Sequence, residues 1–588
     1  MKHATLWIAV AAYLILSAGY AVSTPAFESP DENSHYRYAF YLAHAGGLPL
    51  IPGTASQHGA IPVLDEEDLA HHPPLYYQVL AAAMHAGGHG DTTFSQRKNP
   101  DFNQPGKASR HLAWVHGHDE HGATDGSSEE IHLLHLLRAL SVLCGLGTLF
   151  CTWRLGLLTF PDRPAVRDLA VLLMACLPMW SFMHGALDNG NLATLLTHAA
   201  LLVAAAGLVH GRFTWGHGLG LGMLTGLALI TKLNSLFLLP LLAAAYGWSL
   251  WRCPLHRWRT AGSGLLALLL IAAVAGWFFL RNQQLYGDPL AEAAHAGAYA
   301  TNALPDHLVR TWLLGGFVPA LFGSLLGNLG WMVLPMPGWL GWLALLTLLA
   351  GLAGLVVCCV RNNGRPDVVL TGFLVLSFLL VFLLAARFNM KFGQPQGRYL
   401  FPALGPLALL VAMGLHTLGG LSFLARVPRW LWQGVALLPP LLGLWVLVFW
   451  FQPAFDPELT LTMASEHDAS LVRDITRPPT AARIQLLAPA DGARLQAPPT
   501  LRWQPAEADA IYTVHAFTSA GRILFCTHEW FGRSIRGGEW RLPAPGWALL
   551  PEDKEIHWKV RRVPNRAYGE TVGEMPGSGV FRFTRIGQ

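Results

Sequence analysis

The stretch ESPDENSH, which begins at Glu28, sets three carboxylates close together in a chain of which only 13% is charged. Asp31 and Glu32 are adjacent, and His35 follows Asp31 by four residues, about one helical turn. A carboxylate in such a setting can act as a general base that takes a proton from a hydroxyl group. A structural interpretation stays open beside this one, because Ser29 or Asp31 would also suit the start of a helix as a cap.

A set of basic residues stands at the ends of apolar segments, in the stretches TKLNS, FLRNQQLYGDP, ARFNMKFGQ and QGRYL. A guanidinium fork and a lysine point charge both match a phosphate group, so a bound anion would explain them. Their other interpretation is anchoring, since long basic side chains extend from a span toward the membrane surface. The predicted phosphate-binding residues are Arg398, Lys232, Arg281 and Lys391, and Arg387 shares their position.

Polar and aromatic residues of the same stretches are predicted to line a substrate site. HHPPLYY contributes a histidine and two tyrosines, and QGRYL contributes a third tyrosine. Aromatic rings stack on sugars, although they are also common at membrane interfaces without a substrate. The predicted lining residues are His35, His72, Tyr76, Tyr77, Tyr399 and Asp288.

A second group of histidines occurs in WVHGHDEHG, which holds His116, His118 and His121 beside Asp119 and Glu120. This composition can bind a divalent metal, but its spacing differs from that of the zinc helix HExxH. A solvated loop explains the stretch equally. The sequence therefore predicts no definite cofactor, and a divalent metal stays open.

The elements that must position these residues are membrane helices. Hydrophobic residues make up 52% of the chain and tryptophan occurs 22 times, which excludes the soluble globular class. The net charge of +4 is small for this length, so nucleic acid is not an expected partner. Eleven apolar runs are long enough to cross a hydrocarbon core of about 30 Å: 5-23, 132-153, 168-185, 191-209, 215-230, 233-250, 262-280, 338-360, 367-386, 399-417 and 430-452.

Loop charge predicts the orientation of these spans. The first run is longer than the apolar core of a signal peptide, so we expect an uncleaved anchor with Lys2 inside. The alternate loops that follow are rich in arginine, as the positive-inside rule requires of cytoplasmic loops. The loop 24-131, the segment 282-337 and the C-terminal tail then lie outside, and the polar stretches gather on that one face. For a bacterial chain this predicts a multi-pass protein of the inner membrane.

The tail has a different pattern. After residue 480, short runs such as TLRWQP and EIHWKVRRV alternate apolar with polar residues between turn residues, which is typical of a β-sandwich. It resembles a fibronectin type III-like module, with Trp503 and Trp558 in its core. We expect a transmembrane domain over 1-454, a linker over 455-480 and an extracytoplasmic domain over 481-588. The last would contact a partner or a glycan, or cover the membrane part.

The order of the motifs carries a family resemblance over residues 1-452. The run SPDENSHYRYAFYLA, HHPPLYYQVL, HGALDNGNLA, TKLNS, RNQQLYGDPL and QGRYLFPA resembles a bacterial multi-spanning family catalogued as a domain of unknown function. That family in turn resembles the GT-C superfamily of membrane glycosyltransferases, which includes aminoarabinose transferases and protein O-mannosyltransferases. This chain has Asn191 where many relatives have a second acidic residue, so a two-carboxylate site there is not expected.

The resemblance implies an enzyme that moves a sugar from a polyprenyl-phosphate donor to a glycan or lipid acceptor of the cell envelope. An acidic residue after the first span is the usual catalytic base or metal ligand of GT-C enzymes. By position it is Asp31, with Glu32 as its neighbour. The alternative is a transporter or assembly scaffold that handles lipid-linked saccharides without catalysis. Transporters often show inverted repeats, and we find no convincing repeat in this sequence.

Overall fold

The structure is a computed structural model of the chain. It describes residues 4–45, 47–51, 69–87, 99, 101–114, 116, 128–298, 312–360, 367–420, 429–456, 484–504, 511–518, 523–526, 535–542, 547, 550, 552–563 and 580–586.

The chain divides into two compact units. The first consists of Met1–Leu64, Asp68–Gly90 and His132–Ala454, and the second of Asp65–Glu67, Asp91–Ile131 and Phe455–Gln588. The first unit is mainly helical, and the second contains the two larger β-sheets. The predicted linker over 455-480 lies almost wholly outside the described residues, so the predicted domain limits stay a prediction.

Sixteen α-helices are described. They are α1 Ala4–Ser23, α2 Glu32–Ala45, α3 Leu75–Ala86, α4 Ser128–Thr159, α5 Pro164–Ala175, α6 Pro178–His184, α7 Asn189–Val209, α8 Trp215–Leu229, α9 Leu238–Arg252, α10 Arg257–Tyr286, α11 Glu292–Ala298, α12 Val318–Gly327, α13 Gly338–Val360, α14 Val368–Lys391, α15 Leu404–Gly419 and α16 Arg429–Trp445. Short 3₁₀ or π segments adjoin them at Leu233–Phe237, Pro254–His256, Trp312–Phe317, Gly397–Ala403, Val446–Phe451 and Gln452–Ala454.

The helical unit confirms the predicted polytopic membrane class. Among the described residues, nine helices are long and apolar enough to cross a membrane, or ten if the bent pair α5 and α6 is one span. The predicted span 215-230 is the shorter helix α8, which has 15 residues. At about 1.5 Å per residue, a helix of this length falls short of a hydrocarbon core of about 30 Å.

Proline and glycine shape the helical unit locally. Pro164 and Pro178 each begin a helix, where a missing N–H costs no hydrogen bond, and the two helices meet at a bend of 66°. Glycine allows α13 and α15 to touch through their backbones. A Cβ on Gly414 would lie only 1.7 Å from the carbonyl oxygen of Gly351, so a larger residue would separate these helices.

The second unit is a β domain of two sheets. A short hairpin of β1 Asn328–Leu329 and β2 Leu334–Pro335 belongs to the helical unit. The later strands are β3 Gln485–Ala488, β4 Ala493–Leu495, β5 Thr500–Gln504, β6 Ile511–Thr518, β7 Ile523–Cys526, β8 Ile535–Arg536, β9 Glu539–Arg541, β10 Glu555–Val563 and β11 Phe581–Arg585. One sheet has the order β4-β11-β10-β6-β7 with β8 also paired to β6, and the other has the order β3-β5-β9.

The two sheets share one hydrophobic core, as the predicted sandwich requires. Trp503 comes from the three-stranded sheet and Trp558 from the larger one, and both are buried in the same cluster. Trp558 lies opposite Ala516 in the antiparallel register of β10 and β6. One pair departs from an all-antiparallel arrangement, because β11 and β4 run parallel. The fibronectin type III-like resemblance stays a prediction.

Candidate active site

Asp31 lies in the turn between α1 and α2, where the chain takes a left-handed backbone conformation. Its φ is 63°, a value that aspartate tolerates better than most residues. The carbonyl of Asp31 accepts the N–H of His35 at 2.9 Å and so begins α2. The carboxylate, 37% exposed, instead binds Arg398, whose Nη2 lies 2.5 Å from Oδ2. The same residue thus starts a helix with its backbone and holds an ion pair with its side chain.

Arg398 joins Asp31 to a second carboxylate. Its Nη1 donates to Oδ2 of Asp188 at 2.8 Å, and its side chain is only 9% exposed. Lys232 donates to the other oxygen of Asp188 at 3.0 Å. Asp31, Asp188, Lys232 and Arg398 therefore form one group, the carboxylate–arginine cluster, which contains two anions and two cations.

The position of Arg398 is set by the backbone around it. The preceding Gly397 packs so closely on α12 that a Cβ there would lie 2.1 Å from the backbone nitrogen of Leu325. The N–H of Gly397 donates to Oγ of Ser324 at 2.8 Å. Gln396 accepts from Nε of Arg398 at 2.5 Å and leaves the other guanidinium nitrogens to the carboxylates. Gln396 and Gly397 of the motif QGRY thus fix the position of the Arg398 guanidinium.

Asp188 is the second carboxylate of the cluster, and it was not among the predicted site residues. It caps α7, where its Oδ1 accepts the N–H of Gly190 at 2.5 Å, and its side chain is 3% exposed. Burial alone would raise the pKa of Asp188, but the charges of Lys232 and Arg398 outweigh it and hold the pKa well below its usual range. Burial lowers the pKa of Lys232 in spite of this partner.

The second carboxylate of the cluster does not lie at position 191. Asn191 is buried and donates to the carbonyls of Met183 and Ala186 at 2.8 Å and 3.1 Å, so it supports the turn before α7. The acidic residue stands three positions earlier, at Asp188. A lone carboxylate between two apolar runs is itself a functional signal, and this signal was available in the sequence.

Glu32 is not exposed beside Asp31 but is fully buried against Arg138. Both side chains are 0% exposed, and the guanidinium makes a bidentate pair with distances of 2.9 Å and 2.6 Å. Glu32 also accepts the N–H of Leu187 at 3.0 Å. Arg138 donates in addition to the carbonyls of Ala21, Thr24 and Pro25. This geometry gives Glu32 a structural role and removes it from the proposed catalytic set.

Three of the predicted lining residues form a largely buried hydrogen-bonded group with Asn189, in which His72 is half-buried. The hydroxyl of Tyr77 contacts Nδ1 of His35 at 2.9 Å and Nδ1 of His72 at 2.8 Å. Nδ2 of Asn189 lies 3.2 Å from Nδ1 of His72. His35 connects this group to the cluster, because its Nε2 is 3.9 Å from Oδ2 of Asp188.

The remaining predicted tyrosines line the surroundings of the cluster. Tyr76 is 4% exposed and presents its ring edge-on to His35, with centroids 6.1 Å apart. Tyr399 follows Arg398 and packs edge-on against Phe388 at 5.3 Å.

The other predicted phosphate-binding residues have different partners. Arg281 donates to the carbonyl of Pro49 at 2.9 Å. Lys391 pairs with Glu292, which also accepts from Arg387 at 2.8 Å. These contacts secure loops and helix ends outside the carboxylate–arginine cluster.

Asp288 also has a local structural role. Its two carboxylate oxygens accept the N–H groups of Leu290 and Glu292 at 3.0 Å and 2.7 Å. It therefore stabilises the start of α11.

The possible metal site at His116, His118 and His121 stays open. Among the described residues, no group of three or more histidine, cysteine, aspartate or glutamate side chains is arranged to hold a metal ion. His116 is buried, whereas His118 and His121 lie outside the described residues.

One buried histidine, His35, and two half-buried ones, His72 and His295, predict a pH-dependent stability. Burial lowers the pKa of His35 and of His295 to about 4, and lowers that of His72 well below 6.5. Between about pH 6.5 and 4 the unfolded chain then binds more protons than the folded one, so unfolding becomes easier as the pH falls. The loss is at most about 1.4 kcal/mol per pH unit for each histidine.

We expect the melting temperature in detergent to fall between pH 7.5 and pH 5, and His35→Gln to reduce this pH dependence. His210→Gln, at an exposed position, should leave it unchanged. A melting temperature that is constant or rises toward pH 5 would contradict the assignment of these histidines as wholly or partly buried and neutral.

Comparison with known proteins finds no matching family model and no matching curated protein. Among solved structures, the chain is similar to ArnT from Cupriavidus metallidurans bound to undecaprenyl phosphate, at 15% identity over 83% of each chain and a TM-score of 0.41. It is also similar to the oligosaccharyltransferase of Archaeoglobus fulgidus, at 14% identity over 82% of this chain and 59% of that one, with a TM-score of 0.43. The second match thus spans less than two thirds of that protein. Neither TM-score reaches 0.5.

Proposed function

We propose that the chain is an integral-membrane glycosyltransferase that moves a sugar from a polyprenyl-phosphate donor to an acceptor of the cell envelope. Asp31 is the general base. Arg398 and Lys232 hold the donor phosphate. The proposal places this site on the extracytoplasmic face of a bacterial inner membrane, as the arginine-rich alternate loops favour.

The observation that carries the proposal is the ion pair between Asp31 and Arg398. Residues 367 positions apart in the chain meet at 2.5 Å, directly after the first span. One is a partly exposed carboxylate and the other a nearly buried guanidinium with a second cation beside it. Buried ionisable groups at a span end are costly and mark functional sites in membrane proteins.

These groups match the needs of sugar transfer from a lipid phosphate. The acceptor hydroxyl oxygen forms a bond to the anomeric carbon while the bond from that carbon to the phosphate oxygen breaks. The electron pair leaves with the phosphate, whose negative charge Arg398 and Lys232 stabilise. The hydroxyl proton moves to the carboxylate of Asp31. Lys391 and Arg281 are not assigned to this step, because they are engaged elsewhere.

The ion pair also implies an order of binding. While Arg398 holds Asp31, Oδ2 of the carboxylate contacts the guanidinium instead of an acceptor hydroxyl. A phosphate that takes over Arg398 releases the Asp31 carboxylate for the acceptor. The donor therefore binds before the acceptor hydroxyl is activated, and this order limits proton transfer in the absence of a sugar donor.

The proposal is tested by comparing the glycans and glycolipids of wild-type cells with those of cells in which the gene for this chain is deleted. We expect a sugar-bearing product to disappear, to return with the wild-type gene and to stay absent with Asp31→Asn. Mass spectrometry of envelope lipids and glycans gives the readout. Full restoration by Asp31→Asn at wild-type protein level would contradict catalysis by this residue and favour the transporter or scaffold alternative.

Replacing Arg398 tests the phosphate role separately. We expect Arg398→Ala to weaken binding of undecaprenyl phosphate by about ten- to hundredfold, the equivalent of a charge-assisted hydrogen bond. Native mass spectrometry of the purified protein with this lipid measures the effect. Arg387→Ala is the matched control, because it removes an arginine that pairs only with Glu292 among the described contacts. Equal affinities of both variants would contradict the role of Arg398.

A further inference from the structure

A cavity of about 640 Å³ lies in the helical unit, at the end of α7 opposite to the carboxylate–arginine cluster. Asp188 caps the first turn of α7, whereas Ala206 and His210, which line the cavity, lie at its last turn. The 21 residues of α7 span about 30 Å, the thickness of a hydrocarbon core. The cavity and the cluster are therefore separate sites.

The cavity adjoins a close contact between α4 and α7. A Cβ on Gly147 would lie 2.8 Å from Cδ1 of Leu195, so the two helices pack tightly at this point. Further along both helices, apolar side chains line the cavity instead and are only half-buried. These side chains, the apolar wall, are Leu157, Leu158, Leu202 and Val203. Part of the apolar wall is thus left for another molecule to cover.

The polar side of the cavity is basic. Arg154, His210, Thr214 and His217 line it, and none of its ten lining residues is acidic. Arg154 is exposed, and no carboxylate pairs with it in the part of the chain that the structure describes. A permanent positive charge beside hydroxyl and imidazole groups suits an anion such as a phosphate group. The cavity therefore combines an apolar wall with a site for an anionic head group.

The surroundings of the cavity favour a lipid over a soluble anion. Val209, Trp215 and Leu219 lie beside the lining residues in the chain, and all three are exposed large apolar side chains. In a unit that spans a membrane, such side chains face lipid. The neighbouring loops carry Arg163 and Arg212, and the positive-inside rule predicts that this end is cytoplasmic. Basic pockets between helices on that side suit the head groups of anionic lipids.

We propose that this cavity binds an anionic phospholipid from the leaflet that faces the arginine-rich loops. The lipid phosphate contacts Arg154, with His210 and His217 as further hydrogen-bonding partners, and an acyl chain covers the apolar wall. The bound lipid fills the gap between α4 and α7. This inference is independent of sugar transfer, because it uses no residue of the carboxylate–arginine cluster.

The charge requirement is tested by native mass spectrometry of the full-length protein with phosphatidylglycerol and with zwitterionic phosphatidylcholine. We expect phosphatidylglycerol to bind at least about tenfold more tightly, and Arg154→Gln to weaken its binding by about tenfold. Arg259→Gln is the matched control, because it removes an exposed arginine of the same predicted face that does not line the cavity. Equal affinities for the two lipids, or equal losses in the two variants, would overturn the proposal.

Filling the cavity tests the proposal without a change of charge. Gly216 lines the cavity, and the nearest atom to a Cβ there would be Oγ1 of Thr214, at 3.8 Å. A leucine therefore fits, and it also favours the helix. We expect Gly216→Leu to stay folded but to bind phosphatidylglycerol at least about tenfold more weakly. Gly247→Leu, on α9 where a Cβ would meet no atom within 4 Å, should bind it as the wild type does.

The same measurement separates this cavity from the proposed donor site. Arg398→Ala should keep the wild-type affinity for phosphatidylglycerol, because Arg398 lies at the other end of α7. Wild-type binding by Gly216→Leu would overturn the proposal and indicate adsorption to surface charge alone. A loss in Arg398→Ala as large as that in Arg154→Gln would also overturn it, because the lipid would then occupy the carboxylate–arginine cluster.

Discussion

Replacing Asp31 with asparagine is expected to lower sugar transfer by about a hundredfold or more while the protein stays folded and still binds the lipid phosphate. Asparagine has nearly the same shape but cannot take up the proton of the acceptor hydroxyl. The loss of charge also frees Arg398 from one of its two carboxylates. We therefore expect undecaprenyl phosphate to bind to Asp31→Asn at least as tightly as to the wild type.

Both quantities are measured on the same purified protein, the transfer rate with isolated donor and the affinity by native mass spectrometry. Glu292→Gln is the matched control, because it neutralises a carboxylate that also pairs with two basic side chains. It should retain transfer. A similar loss in both variants would indicate a general effect of surface charge and contradict the assignment of Asp31 as the base.

Removing Arg138 is expected to be the most destabilising single change in the helical unit. Its guanidinium forms a fully buried pair with Glu32 and donates to three backbone carbonyls. Breaking a buried pair from one side leaves an uncompensated charge and costs about 3–5 kcal/mol. We expect Arg138→Ala, and to a lesser extent Glu32→Gln, to reduce the melting temperature and the yield of folded protein in detergent.

The double variant separates charge from packing. If the cost arises from a charge left without its partner, Glu32→Gln combined with Arg138→Ala should be less destabilised than the sum of the single changes. Arg387→Ala serves as the comparison, because it removes an exposed arginine that pairs with Glu292. Additive losses in the double variant would contradict the interpretation of Glu32 and Arg138 as a coupled structural pair.

The sequence could predict that Asp31, Lys232 and Arg398 lie close together, because the predicted topology puts the span ends that carry them on the same face of the membrane. The different roles of Asp31 and Glu32 could not be predicted. A positive φ at Asp31 turns the chain so that neighbouring carboxylates point apart, one to Arg398 and one to Arg138. No local sequence pattern specifies this turn, which depends on partners far along the chain.

The ion-pair partners of Asp188 and Lys391 could not be predicted from the sequence for the same reason. Asp188 lies in the polar stretch HGALDNGNLA between two apolar runs, but its partners Lys232 and Arg398 are brought to it by the tertiary fold. Lys391 satisfies the pattern of a phosphate-binding lysine but is engaged by Glu292, a residue almost one hundred positions away. The helical class and the buried Trp503 and Trp558 follow from composition and alternation, which are properties of short segments. Ion-pair partners are properties of the assembled fold.

The most direct test of the central claim is an experimental structure of the full chain with undecaprenyl phosphate in nanodiscs. We expect the phosphate density to lie within hydrogen-bonding distance of Arg398 and Lys232, with the Asp31 carboxylate released from Arg398 and facing the phosphate. A phosphate bound elsewhere, with the pair between Asp31 and Arg398 intact, would contradict the proposed site.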